Sequence, residues 1–211
     1  MKLRIHALVA LSLLLAASTS AAEPAAQPAM EPSKGIYRLP YPDETEVWIF
    51  DDATSHRPAG RIDLVAKPAA QPQRVVAAAD GIIRMIEDRH REQQSGRAAS
   101  ECRNNFVWIE HPNGEWSTYS HLRSGSVTSA AGLKVGDQVV AGQFIGYEGA
   151  VGCAMLDHVH FEIAVPGPAG ITAGGFVVED GERTYLREPR FCRIPGGKVR
   201  KDATYQAQDC G

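Results

Sequence analysis

The sequence predicts an antiparallel all-β fold, and three observations carry that prediction. From Ile36 to about Pro166 the chain runs as short β-type segments divided by turn signals. Two of those divisions, Asp80-Gly81 and His111-Pro112-Asn113-Gly114, have the residue chemistry of hairpin turns. Beyond the first 22 residues nothing has convincing helical periodicity.

The elements follow in order. Residues 1–22 read as a signal peptide, with Lys2 and Arg4 as a charged start, Ala7 to Ala17 as an apolar run and Ser20-Ala21-Ala22 as a small-residue cleavage site. The run is short for a bilayer span, so cleavage is favoured over a retained anchor helix and no transmembrane segment is expected afterwards. The mature chain is expected to be exported, periplasmic or secreted. Residues 23–35, rich in Ala, Pro, Gln and Glu, read as a flexible linker. Arg74 to Ala79 and Ile82 to Glu87 read as strands joined at Asp80-Gly81, and Asp88 to Asn105 as an exposed, charged loop with a short helix. Phe106 to Glu110 and Glu115 to His121 read as a second hairpin, followed by short strands between Gly132 and Gly146. Residues 36–166 thus form one β domain, and 167–211, rich in Gly, Pro and Arg, an irregular extension.

A net charge of −3 argues against a general nucleic-acid binder. Cys102, Cys153, Cys192 and Cys210 are an even number in an exported chain, which predicts two disulfides with three possible connectivities. Cys102–Cys153 with Cys192–Cys210 is favoured, because the second pair staples a loop-rich tail and contributes roughly 3 kcal/mol. A cysteine metal site lacks the C-x-x-C spacing it needs.

The chemistry concentrates in His158-Val159-His160-Phe161-Glu162. In a strand, residues two apart project from one face, so His158 and His160 aim two imidazoles together while Val159 and Phe161 face a core. Imidazole both binds metals and titrates near neutral pH, so such a pair can hold a metal, move a proton, or divide the two tasks. Glu162 has the parity to share that face in a supporting role. His111, in a turn, and His90, in a charged loop, are expected to be solvent-exposed, and Trp108 and Trp116 to meet across neighbouring strands.

Four signals stand in order: Gly60-Arg61-Ile62-Asp63-Leu64, Val76-Ala77-Ala78-Ala79-Asp80-Gly81, Tyr119-Ser120-His121-Leu122, and His158 to Glu162. With the Val-Gly-Asp, Ala-Gly-Gln and Ile-Gly stretch before the last, this order resembles the lysostaphin/LytM-type zinc endopeptidases over roughly residues 56–165. The resemblance implies a β domain of the LytM, duplicated-hybrid type, a bound Zn²⁺, and cleavage of peptide cross-links in bacterial peptidoglycan. It implies Asp63 and His160 as zinc ligands and His121 and His158 as catalytic histidines.

One position departs from the pattern. The family's first ligand histidine stands four residues before the aspartate, where this chain has Ala59. The nearest histidine is His56, seven residues before Asp63. An odd separation along an unbroken strand points to the wrong face, but the turn-forming Pro58-Ala59-Gly60 can loop out and return His56 to the site. The insertion reading gives a metal set of His56, Asp63 and His160. The substitution reading leaves two ligands and favours a degenerate relative that binds the wall or activates another wall hydrolase. A lipoyl- or biotinyl-type carrier domain, suggested by the rhythm from Val135 to Gln143, lacks a lysine at the corresponding hairpin tip.

Overall fold

Alternating side-chain character builds the central strands. In Val159–Ala164 the residues Val159, Phe161 and Ile163 are fully buried on one face, while His160 and Glu162 take the other. Burying each such apolar side chain contributes about 1.5–3 kcal/mol, which anchors the strand in a single register. The computed structural model of the protein describes residues 30–69, 72–94, 96, 102–166, 171–172, 175–176 and 186–211. The signal peptide expected at 1–22 and the linker as far as 29 lie outside them, as does much of the stretch from 167 to 185.

The strands are β1 (Glu46–Asp51), β2 (Ile62–Lys67), β3 (Arg74–Val76), β4 (Gly81–Glu87), β5 (Phe106–Glu110), β6 (Trp116–Ser120), β7 (Gln138–Val139), β8 (Phe144–Tyr147), β9 (Val159–Ala164), β10 (Ile171–Thr172), β11 (Gly175–Phe176), β12 (Leu186–Arg187) and β13 (Thr204–Gln206). One antiparallel sheet runs β13-β1-β2-β9-β6-β5-β4-β7, with β12 also paired to β9. Two-stranded sheets are formed by β3 with β8 and by β10 with β11. The main core lies between the large sheet and the β3–β8 pair, with Ile49, Leu64, Val107, Tyr119 and Phe161 meeting Val75 and Ile145. The expected all-β antiparallel class is what the structure has. Among the described residues no helix is long and apolar enough to cross a membrane.

Several local expectations are corrected. The hairpin at Asp80-Gly81 does not form, since β3 pairs with β8 and β4 with β5 and β7. Gly81 does not take a left-handed conformation. It is needed for close approach instead, because a Cβ there would stand 2.5 Å from the Glu110 carbonyl oxygen. The second hairpin does form, with Glu110 opposite Trp116. Trp108 and Trp116 meet edge to face across it at 6.5 Å between ring centroids.

Residues 30–35 of the expected flexible linker are tied down. The fully buried Glu115 carboxylate accepts the backbone N–H groups of Lys34 at 2.7 Å and Gly35 at 2.9 Å, and Ser33 donates to the Glu188 carbonyl. The 88–105 loop shows no helix among its described residues and buries Asp88, Gln94, Asn104 and Asn105. The tail is irregular over most of its described length, yet it adds β12 and β13 to the large sheet. The bridges are Cys102–Cys153 and Cys192–Cys210, with Cα–Cα separations of 5.4 and 5.5 Å.

Candidate metal centre

Pairing of β2 with β9 sets Asp63 directly opposite His160. Cross-strand partners share a face, so the carboxylate and the imidazole meet on the side of the sheet away from the main core. Asp63 Oδ1 lies 2.9 Å from His160 Nδ1. The other ring nitrogen, Nε2, lies 3.0 Å from Glu162 Oε1, which also accepts from Arg61 Nε at 2.7 Å. Glu162 is fully buried, and its function in holding His160 was not readable from parity alone.

Burial disfavours charge on His160, but the hydrogen bonds to Asp63 and Glu162 outweigh it and raise the ring's pKa to about 9. Asp63, although buried, is held well below the usual carboxylate range by its contacts with His158 and His160. Glu162 is likewise lowered, its burial being outweighed by His160 and Arg61.

His56 reaches the same place from a loop. The Asp52 carboxylate folds the 52–56 turn by accepting the N–H groups of Thr54 at 2.9 Å and Ser55 at 2.8 Å. Gly60, at φ +100°, closes the loop by donating its N–H to the Ala53 carbonyl at 2.7 Å. His56 Nδ1–H donates to the Pro58 carbonyl at 2.9 Å, which leaves Nε2 aimed at Asp63 Oδ2, 3.5 Å away. Its ring stands 4.9 Å from that of His160. Burial, then the neighbouring His160, lowers the His56 pKa.

His158 is tethered by Nδ1 to the Leu156 carbonyl at 2.8 Å and turns Nε2 toward Asp63 Oδ1, 3.5 Å away. His121 follows β6 in a left-handed conformation, φ 67°, uncommon for a residue with a side chain. Its backbone N–H donates to Asn104 Oδ1 at 3.0 Å and its ring Nδ1–H to the Val151 carbonyl at 2.8 Å. The His121 ring lies 4.6 Å from that of His158 and 5.7 Å from that of His160. Burial, then His158 and His160, pushes its pKa down to about 3, so the ring is neutral at pH 7 and keeps a lone pair on Nε2.

The five residues singled out from the sequence therefore converge. The donor atoms of His56, Asp63 and His160 lie within 4.8 Å of one another, and so do those of His121, His158 and His160. The first set has the right chemistry for zinc. Tetrahedral ligands at about 2.0–2.1 Å from the ion stand about 3.4 Å apart, close to the 2.9 and 3.5 Å that separate the Asp63 oxygens from His160 and His56.

The remaining histidines differ from expectation. His111 is buried, with Nδ1 bonded to the Asp80 carbonyl and Nε2 2.8 Å from Ser117 Oγ, because the turn packs back against the residues before β4. His90 is half-buried, its backbone clamped at both N–H and C=O by the Asn105 side chain.

Among solved structures the chain is similar to a peptidase M23 protein from Pseudomonas aeruginosa, with 22% identity, 64% of this chain and 49% of that one covered, and a TM-score of 0.39. It is also similar to a zinc-containing peptidase from Vibrio cholerae, with 23% identity over 63% of this chain and 35% of that one and a TM-score of 0.37. The catalytic domain of lysostaphin from Staphylococcus simulans matches at 20% identity over 74% of this chain and 86% of that one, TM-score 0.39. The chain thus spans about half the length of the first and about a third of the second. No match was found among curated proteins. A model of peptidase family M23 matches residues 60–170, a stretch that includes Asp63, His121, His158 and His160 and begins just after His56. That match covers more than half of the 211 residues, and the chain belongs to peptidase family M23.

Proposed function

We propose that the protein is a zinc-dependent endopeptidase, exported from the cytoplasm, that cleaves peptide cross-links of bacterial peptidoglycan. The observation that carries this reading is the convergence of His56, Asp63 and His160 on one side of two further histidines whose Nε2 atoms face inward. His56 Nε2, an Asp63 oxygen and His160 Nδ1 would hold the ion. When bound, zinc supplies a Lewis acid for the scissile carbonyl and lowers the pKa of a coordinated water toward about 7.

The chain's own residues do the rest. Glu162 takes the Nε2–H of His160 and so keeps its Nδ1 turned toward Asp63. His121, its Nδ1–H fixed to the Val151 carbonyl, turns Nε2 to the site and takes the proton of the attacking water there. His158, its Nδ1–H fixed to the Leu156 carbonyl, presents Nε2 beside it to orient that water and to share delivery of a proton to the leaving amine.

The test is zinc content together with hydrolysis of purified peptidoglycan by the mature protein. One zinc per chain and release of new amino termini are expected. Protein that takes up no stoichiometric zinc and releases none contradicts the reading. A second reading, a non-cutting relative that binds the wall or activates another wall hydrolase, is favoured by Ala59 at the family's first-ligand position and by a family match that starts after His56. It predicts wall binding without cleavage and zinc affinity indifferent to His56.

A further inference from the structure

Two bridges cross the chain, and one of them lies against a site histidine. His121 has two hydrogen-bond anchors, Asn104 Oδ1 on its backbone N–H and the Val151 carbonyl on its ring Nδ1–H. Asn104 stands two residues after Cys102, and Val151 two residues before Cys153. The bridge therefore joins the two segments that hold His121, one at its backbone and the other at its ring.

The segments also touch directly. A Cβ on Gly152 would meet the Asn104 Cα and Cβ at 3.3 Å and would press the segments slightly apart, and the φ of +90° there also favours glycine. Gly152 further exchanges backbone hydrogen bonds with the preceding loop, donating to Glu92 at 2.9 Å and accepting from Gln94 at 2.6 Å. The left-handed backbone at His121 has no glycine to relax it, and these two anchors hold that residue. Asn105 Nδ2, donating to the Leu122 carbonyl, and the Arg123 N–H, donating to the Tyr147 carbonyl, hold the turn after it.

We propose that the Cys102–Cys153 disulfide is a positioning clamp for His121, fixing the direction of its ring in the site. The proposal rests on the peptidase reading only for what the ring then does. The second bridge, Cys192–Cys210, closes a tail loop beside Tyr37, and among the described residues no site histidine bonds to that segment. It serves as the internal control.

The experiment compares wild type, C102S/C153S and C192S/C210S. The His121 Nδ1–H resonance and its hydrogen exchange are followed by NMR, with zinc stoichiometry, kcat and KM alongside. In wild type and C192S/C210S the ring proton is expected to be protected. In C102S/C153S exchange should accelerate at least about tenfold, and kcat should fall roughly 10- to 100-fold with KM and zinc content unchanged. If C102S/C153S does not fold, the same readouts are taken on folded C192S/C210S treated with a phosphine. That reagent, with water, converts the remaining bridge to two thiols and is itself oxidised to the phosphine oxide.

Unchanged ring protection and kcat after loss of the bridge overturn the proposal. So does collapse of the whole fold in both preparations, since the bridge then holds the domain rather than one ring. Wild-type protein that cleaves nothing removes the peptidase reading, while the ring signal still decides the clamp.

Discussion

His160 and His121 face the same centre but are placed by opposite means. His160 sits inside β9, paired to Asp63 on one side and Ser120 on the other, and its direction follows from a register that Val159, Phe161 and Ile163 enforce by burial. His121 lies just beyond β6, in a strained turn, and owes its direction to two hydrogen bonds from loops 17 and 30 residues away in sequence. His56 is placed in the same way as His121, by a turn folded on Asp52. The strand-borne half is thus rigid by construction. The loop-borne half depends on small-residue turns and a disulfide. The ladder secures two of the three ligands, Asp63 and His160, while the third, His56, and the proton-handling His121 stand on loops.

Substitutions that separate the halves should differ in kind. The largest effect is expected from His160→Ala, which removes a strand-borne ligand and leaves Glu162 and Arg61 facing an empty position. Zinc by elemental analysis should fall to background, and hydrolysis with it. His121→Ala removes a loop-borne group that is not one of the three ligands, so zinc should remain at one per chain while kcat drops roughly 10²–10⁴-fold. Parallel loss of zinc in that variant would dissolve the distinction.

How far the sequence could be read follows the same division. The period-two pattern of His158 to Glu162 was enough to turn two imidazoles and a carboxylate the same way, a local property of the chain, although β9 begins at Val159 and His158 stands just before it, bridged to Gly149. Asp63 opposite His160 is a matter of register between strands almost a hundred residues apart, which no local pattern reports, and the resemblance supplied it instead. His56 was readable as a loop candidate through Pro58-Ala59-Gly60, but its approach to Asp63 depends on the Asp52 turn. The failures have one physical cause. Asp80-Gly81 and His111-Pro112-Asn113-Gly114 look alike as turn chemistry, yet only the second closes a hairpin, while the first carries the chain between two sheets. His111 sat in turn sequence and was expected to be exposed, but packing against Asp80 and Ser117 overrode local composition.

Two smaller effects sharpen the comparison. Glu162→Gln replaces the carboxylate that orients His160 with a weaker acceptor, and zinc affinity by chelator competition should fall about 10- to 100-fold. An affinity unchanged by this substitution would mean that the strand alone aims the ring. Glu148 opens the loop that reaches His158 and is buried beside Tyr41, whose hydroxyl contacts it. Burial raises its pKa to about 7, above the usual carboxylate range. A raised carboxyl pKa contributes stability that is complete below about pH 4.5 and lost as pH rises through about 7, an amount of about 3 kcal/mol. Denaturant titrations should show that decline in wild type and a flatter profile in Glu148→Gln. Equal slopes in the two proteins would remove Glu148 as its source.

The central claim is that a loop-borne His56 completes a metal set begun by Asp63 and His160 on facing strands. Zinc affinity of His56→Ala, measured against wild type by chelator competition, tests it most directly. A loss greater than the roughly 100-fold expected for removing an outer partner is predicted. An affinity equal to that of wild type would show that His56 is no ligand and that the site lacks its third protein donor.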